Sequence, residues 1–249
     1  MYNFFAENRA GEHFEIRGAD FNHIKNVLRM KEGDTFLISY DGESHLCRLS
    51  KIFSDCVVAD IIEENYRETE LPIKIHLFQG LPKGDKMELI IQKCIELGVF
   101  EIIPVEMNRC VVKLDDKKKK SKVERWQGIA ESAAKQSKRN LVPSVCDVCS
   151  FKEALFKAQE LDLLLVPYEN KDGMKATKDA LLKIKNGMSV GIMIGPEGGF
   201  EESEIEAVIE NGGAALSLGK RILRTETAAI TACAMCMLYA EMNICEENK

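Results

Sequence analysis

No stretch of this chain stays apolar for the ~20 residues that a bilayer-spanning helix needs. Its first residues, Met1-Tyr2-Asn3-Phe4-Phe5, lack the basic start and long apolar stretch of a signal peptide. A soluble cytoplasmic protein, with no membrane partner, is the expectation. Neither the G-x-x-x-x-G-K-[ST] nor the G-x-G-x-x-G phosphate fingerprint accompanies the glycine-bearing loops. Histidines are few, and His13, His23, His45 and His76 all lie outside those loops, which suits exposed or structural roles. There is no internal repeat. The nine cysteines are an odd number, which argues against a complete disulfide framework and for a reducing compartment. Two Cys-x-x-Cys pairs, Cys146/Cys149 and Cys233/Cys236, are too far apart for a zinc ribbon and have no adjacent histidine. Core packing is expected, with no metal site.

What is present is a chain of 249 residues, 45% hydrophobic, with a net charge of −6. That is enough for one large domain or two small ones with a packed core. The negative average hides a basic segment from Arg109 to Arg139, which fits local phosphate attraction. Its Lys117–Lys120 run, taken alone, reads as a solvated, mobile loop.

Residues 1–68 read as β-rich. Asp34 to Tyr40 and Ser44 to Phe53 alternate around Asp41-Gly42, a hairpin signal, and Asp55 to Ile62 is a further strand. A helix is expected around Asp20 to Met30 with Asp20 as its N-cap. The polar stretch Glu63 to Leu71 ends at Pro72 and marks a boundary. From residue 72 to 249, strands alternate with helices, which argues for a mostly parallel sheet covered by helices.

Two loops in this second half carry the functional signal. Gly195-Pro196-Glu197-Gly198-Gly199-Phe200 follows the apolar run Val190 to Ile194. Leu218-Gly219-Lys220-Arg221-Ile222-Leu223-Arg224-Thr225-Glu226 follows Ala214 to Leu218. Ligands of open α/β sheets bind outside the carboxyl ends of strands, so two such loops predict one composite pocket. The Leu163 to Val166 strand, running into Pro167-Tyr168-Glu169, joins them if the three strands are neighbours. Glu197, Glu201 and Glu202 occupy the positive end of a helix that a phosphate would otherwise use. That arrangement predicts repulsion of polyphosphates and acceptance of a sulfonium nucleoside such as S-adenosylmethionine. Two plainer readings stand beside it: a tight turn at 195–200 and helix capping at Arg224-Thr225-Glu226.

At these residues the chain resembles the ribosomal small-subunit (16S) RNA uridine-N3 methyltransferase family of the SPOUT class. The likeness extends over nearly the whole chain. Supporting stretches are Val27-Leu28-Arg29 with Gly33-Asp34, Lys83 to Glu88, Ile91-Gln92-Lys93, Glu96 to Val99, Pro104 with Arg109, Arg125-Trp126, and Gln136 with Arg139. The resemblance implies a PUA-like β-barrel that grips RNA over residues 1–68. It further implies an α/β methyltransferase domain over 72–249 with a deep trefoil knot, and a homodimer packed through those domains. Met235, Met237, Leu238 and Met242 of the last helix fit such packing, as they fit a core.

By the same resemblance the S-adenosylmethionine site comprises Val166, Pro167, Ile194, Gly195, Pro196, Glu197, Gly198, Gly199, Leu218, Gly219, Ile222, Leu223 and Thr225. The partner it implies is 16S rRNA or the small ribosomal subunit. Arg224 is the candidate for holding a deprotonated uracil. Glu226 is either a base or the anchor of Arg224. Arg29, Lys83, Lys86, Arg109 and Arg139 are candidate RNA contacts.

Overall fold

The computed structural model describes residues 1–6, 8–168 and 173–244. The chain divides into two compact units. One is Met1–Glu70 with Ala134–Val142; the other is Leu71–Ala133 with Pro143–Lys249. Residues 134–142 therefore return to the N-terminal unit, which a single cut near Pro72 does not anticipate.

The N-terminal unit is a six-stranded sheet: β1 (Asn3–Phe5), β2 (Arg9–Ala10), β3 (His13–Ile16), β4 (Thr35–Tyr40), β5 (Glu43–Ile52) and β6 (Val57–Glu63), in the order β1-β4-β5-β6-β3-β2. The β4–β5 hairpin turns at Asp41 and Gly42, both at positive φ (50° and 81°), as the primed two-residue turns require. Inward side chains of Phe4, Phe14, Phe36, Ile38 and Leu49 form its core, each at most 1% exposed. Each such burial stabilises by about 1.5–3 kcal/mol. The expected helix is shorter, α1 (Gly18–Asn22), and widens into a π-type turn over His23–Val27. Asp20 does not cap it; Arg17 holds the cap position, and the Asp20 carboxylate accepts two hydrogen bonds from Lys135 at 2.6 and 2.9 Å.

The second unit contains β7 (Lys74–Gly80), α2 (Lys86–Glu96), β8 (Glu101–Glu106), α3 (Asp116–Ser137, whose last turn groups with the first unit), β9 (Ser144–Val145) and β10 (Cys149–Ser150). Then follow α4 (Phe151–Ala158), β11 (Leu163–Pro167), α5 (Gly173–Leu181), β12 (Ser189–Ile194), α6 (Glu202–Glu210), β13 (Ala214–Leu216) and α7 (Thr225–Asn243). All strand pairs are parallel, in the order β10-β8-β7-β12-β11-β13, with β9 beside β8. Strands buried on both faces read as unbroken apolar runs, which is why Leu163 to Val166 and Val190 to Ile194 show no alternation. Lys117–Lys120 lie in the first turns of α3 rather than in a loop, with Lys119 paired to Glu106 at 2.7 Å.

The Cys-x-x-Cys pairs hold no disulfide among the described residues. Cys233 and Cys236 are fully buried in α7. Burial and a hydrogen bond to Glu101 push the Cys146 thiol up to about 12, which leaves it unreactive near neutral pH.

Candidate active site

Strand β12 lies between β7 and β11 although it follows both in the chain, so the sheet reverses its winding there. Such a switch point leaves a crevice at the carboxyl ends of the strands. The ends of β11, β12 and β13 are neighbours, and the segments leaving them wall a cleft of about 750 Å³. That volume suits a nucleoside-sized ligand. Of the expected ligand residues, Pro167, Ile194 to Gly199, Leu218, Gly219, Ile222, Leu223 and Thr225 line it, as do Arg224, Lys86 and Arg109. Val166 does not: it is fully buried in the sheet, one residue short of the cleft. Glu169 falls outside the described residues. Tyr168, Phe200, Lys220 and Arg221, which belong to the two loops and the strand end expected to form the pocket, line it as well, and Ser217 joins them without having been singled out.

The first loop is held from several sides. The Thr225 hydroxyl donates to the Gly195 carbonyl at 2.6 Å, so its role is to tie the loop and not to cap α7. Arg109 donates to the Gly198 carbonyl at 3.0 Å. Glu204, 3% exposed and another residue not anticipated, accepts from the Asn108 N–H at 3.0 Å and the Glu201 N–H at 2.9 Å. The Glu201-x-x-Glu204 spacing was the signal that could have found it. The second loop is tied at its start: Thr177 donates to the Ser217 carbonyl at 2.7 Å, and Ser217 Oγ and Gly219 exchange hydrogen bonds. Gly199 and Gly219 have φ of 67° and 110°, with free space where a Cβ would sit, so backbone is open to a ligand at both.

The electrostatics differ from the sequence expectation. Glu197 accepts from Lys86 Nζ at 2.7 Å and from the Lys83 N–H at 3.0 Å. Burial works to raise its carboxyl, but these donors outweigh it and hold the group below the ordinary carboxylate range. Glu201 caps α6 and accepts from Asn108 Nδ2 at 2.9 Å. Five cations, Lys86, Arg109, Lys220, Arg221 and Arg224, line the cleft against the carboxylates Glu197 and Glu202. Repulsion of polyphosphates therefore does not follow from charge; only the missing glycine fingerprint speaks against a phosphate loop.

Arg224 is exposed at the start of α7 and makes no ion pair among the described residues. Glu226 does not anchor it. One Glu226 oxygen is buried without a hydrogen-bond partner among the described residues, and its nearest cation is Lys86 at 3.9 Å. Of the expected RNA contacts, Arg29 and Lys83 are exposed. Arg139 is not available: it is 3% exposed, and its guanidinium grips Glu70 through several hydrogen bonds, two of them 2.9 and 3.0 Å long. Its carbonyl accepts from Asn3 and Ser39, so it fastens residues 134–142 within the N-terminal unit.

Residues 69–237 match a family model for an RNA methyltransferase domain, and residues 16–58 match one for an RNA methyltransferase PUA domain. The ribosomal RNA small subunit methyltransferase E of Bacillus subtilis is 47% identical over 223 residues, covering 88% of this chain and 87% of the relative. That of Mesomycoplasma hyopneumoniae is 34% identical over 237 residues, covering 95% and 99%. A crystal structure of the Neisseria gonorrhoeae ribosomal RNA small subunit methyltransferase E bound to S-adenosyl methionine superposes with a TM-score of 0.79 at 33% identity, covering 94% of this chain and 95% of that one.

Proposed function

Because the chain belongs to the RNA methyltransferase family, we propose that it methylates ring nitrogen 3 of a uridine in small-subunit (16S) ribosomal RNA, with S-adenosylmethionine as donor. The observation that carries this reading is the cleft at the switch point, walled by both glycine-bearing loops and rimmed by cations. Its residues fit the donor: open backbone at Gly199 and Gly219, apolar side chains at Ile194, Ile222 and Leu223, and a nucleoside-sized volume. Pro167, Gly195 to Gly198, Leu218 and Thr225 complete the holding set. When bound, the donor supplies an electrophilic methyl group.

The chain's own task is to remove a proton from uridine and hold the anion. The N3–H of uracil is a weak acid, and charge develops on N3 and its flanking carbonyl oxygens as the proton leaves. The Arg224 guanidinium, unpaired among the described residues and lining the cleft, stabilises that charge. Glu226 does not line the cleft, and one of its oxygens is buried 3.9 Å from Lys86, so it serves as a counter-charge to Lys86 while the proton leaves to solvent water along the cleft. Lys86, between Glu197 and Glu226, keeps both carboxylates in place. A uridine paired in a helix must be extruded before it reaches this site. Arg29, Lys83 and Arg109, with the exposed Lys220 and Arg221, contact RNA phosphates. The exposed Leu238 and Met242 of α7 contribute to a homodimer contact.

Isothermal calorimetry tests the donor assignment. S-adenosylmethionine binds the wild type and fails to bind Gly195→Trp, which fills the cleft, and Leu223→Glu, which puts a carboxylate on its apolar wall. Folded wild type that ignores S-adenosylmethionine and binds ATP or NAD is an adenine-nucleotide enzyme. Folded wild type that binds RNA and no nucleoside ligand is a non-catalytic RNA-binding protein.

A further inference from the structure

Gln79 is the penultimate residue of β7 and fully buried. It is the one amide side chain in an otherwise apolar strand end, Leu77-Phe78-Gln79-Gly80-Leu81. Its two N–H donors are both engaged: Nε2 donates to the Gly80 carbonyl at 2.8 Å and to Thr225 Oγ1 at 3.0 Å. Thr225 has a single hydroxyl proton, which goes to the Gly195 carbonyl at 2.6 Å, so it can only accept from Gln79. That fixes which end of the amide faces Thr225, and Oε1 is left without a hydrogen-bond partner among the described residues. A buried acceptor without a partner is unfavourable, and an apolar residue of the same size would avoid it. Beside it, the carboxyl end of β7 meets the first loop closely: a Cβ on Gly80 would lie 2.7 Å from Pro196 Cδ.

We infer that Gln79 is a positioning residue for the methyl donor. Through Thr225 it links the end of β7 to the carbonyl that opens the 195–200 loop and to the first residue of α7, and so sets the spacing between the two loops that wall the cleft. This inference rests on the proposed donor site for its meaning, but the link itself is a property of the ligand-free chain.

The test uses Gln79→Met, which removes both donors and the orphaned acceptor at similar volume, and Gln79→Glu. Amide hydrogen exchange of the ligand-free protein reads the link directly: in Gln79→Met, exchange of residues 195–200 accelerates about tenfold, the equivalent of ~1.4 kcal/mol. Calorimetry then shows S-adenosylmethionine binding weakened by a similar factor in folded Gln79→Met. Gln79→Glu binds weakly at high pH and recovers as pH falls, because the protonated carboxyl regains an O–H for Thr225; wild type and Gln79→Met show no such recovery. Loop exchange and donor affinity equal to wild type in both variants overturn the inference. Accelerated exchange in a protein whose wild type ignores S-adenosylmethionine overturns the donor site and, with it, this role.

Discussion

Two stretches of this chain are rich in cations, 109–139 and 220–224, and they differ in what those cations face. In the first, Lys119 pairs with Glu106, Arg125 with Glu88, Lys135 with Asp20, and Arg139 with Glu70. In the second, Lys220, Arg221 and Arg224 are exposed along the cleft and make no ion pair among the described residues. A run of basic residues thus says little about anion binding until its internal partners are known. The longer stretch commits five of its eleven cations, Lys118 among them, to internal ion pairs, whereas the shorter one faces the site.

The largest effect that separates the stretches is expected at Arg139. Arg139→Ala leaves the half-buried Glu70 without its cation, and the expected loss is about 3 kcal/mol, the low end of the range for breaking a buried pair. Urea unfolding followed in the N-terminal unit reads that loss. A stability within ~0.5 kcal/mol of wild type would return Arg139 to the candidate RNA contacts. Arg224→Ala is expected to leave folding and donor affinity unchanged and to lower turnover by about 10²–10³, the range for removing one group that stabilises transition-state charge. Single-turnover methylation at saturating donor measures it, and a normal rate removes Arg224 from the mechanism.

A smaller effect comes from salt. If Arg221 contacts a phosphate, Arg221→Ala reduces the slope of log RNA affinity against log salt by about 0.7–0.9, while Arg125→Ala, on the paired stretch, leaves it unchanged. Equal slopes for both variants would erase the distinction drawn between the stretches. The smallest effect lies in the N-terminal unit at His45. Its ring is fully buried beside Phe14, and neither nitrogen has a hydrogen-bond partner among the described residues. Burial, with help from Arg9 and against Glu43 and Glu64, lowers its pKa below the ordinary 6.5. The unfolded chain therefore takes up the proton first as the pH falls. The stability contribution is complete above about pH 6.5 and is lost as pH drops toward the folded value. Urea midpoints should decline over that interval in wild type and less so in His45→Phe.

The periodic features were legible in the sequence because they are local. The Asp41-Gly42 hairpin, the strand–helix alternation after Pro72 and the two glycine-bearing loops all followed from turn chemistry and apolar runs. What stayed hidden depends on distant partners. The Glu70–Arg139 pair spans 69 residues, and nothing near Arg139 marks it as buried. The insertion of β12 between β7 and β11 is a matter of strand order, which periodicity does not encode. Glu197 reads as a bare carboxylate until Lys86 is seen beside it. Gln79 left only a faint trace, a lone amide at the end of an apolar strand.

The most direct measurement of the central claim is mass mapping of modified nucleosides in small-subunit rRNA from a strain lacking this chain. One N3-methyluridine is expected to disappear, to return when the wild-type chain is supplied, and not to return with Arg224→Ala. An N3-methyluridine that persists in the deletion strain, or one restored by Arg224→Ala as fully as by wild type, would contradict that claim.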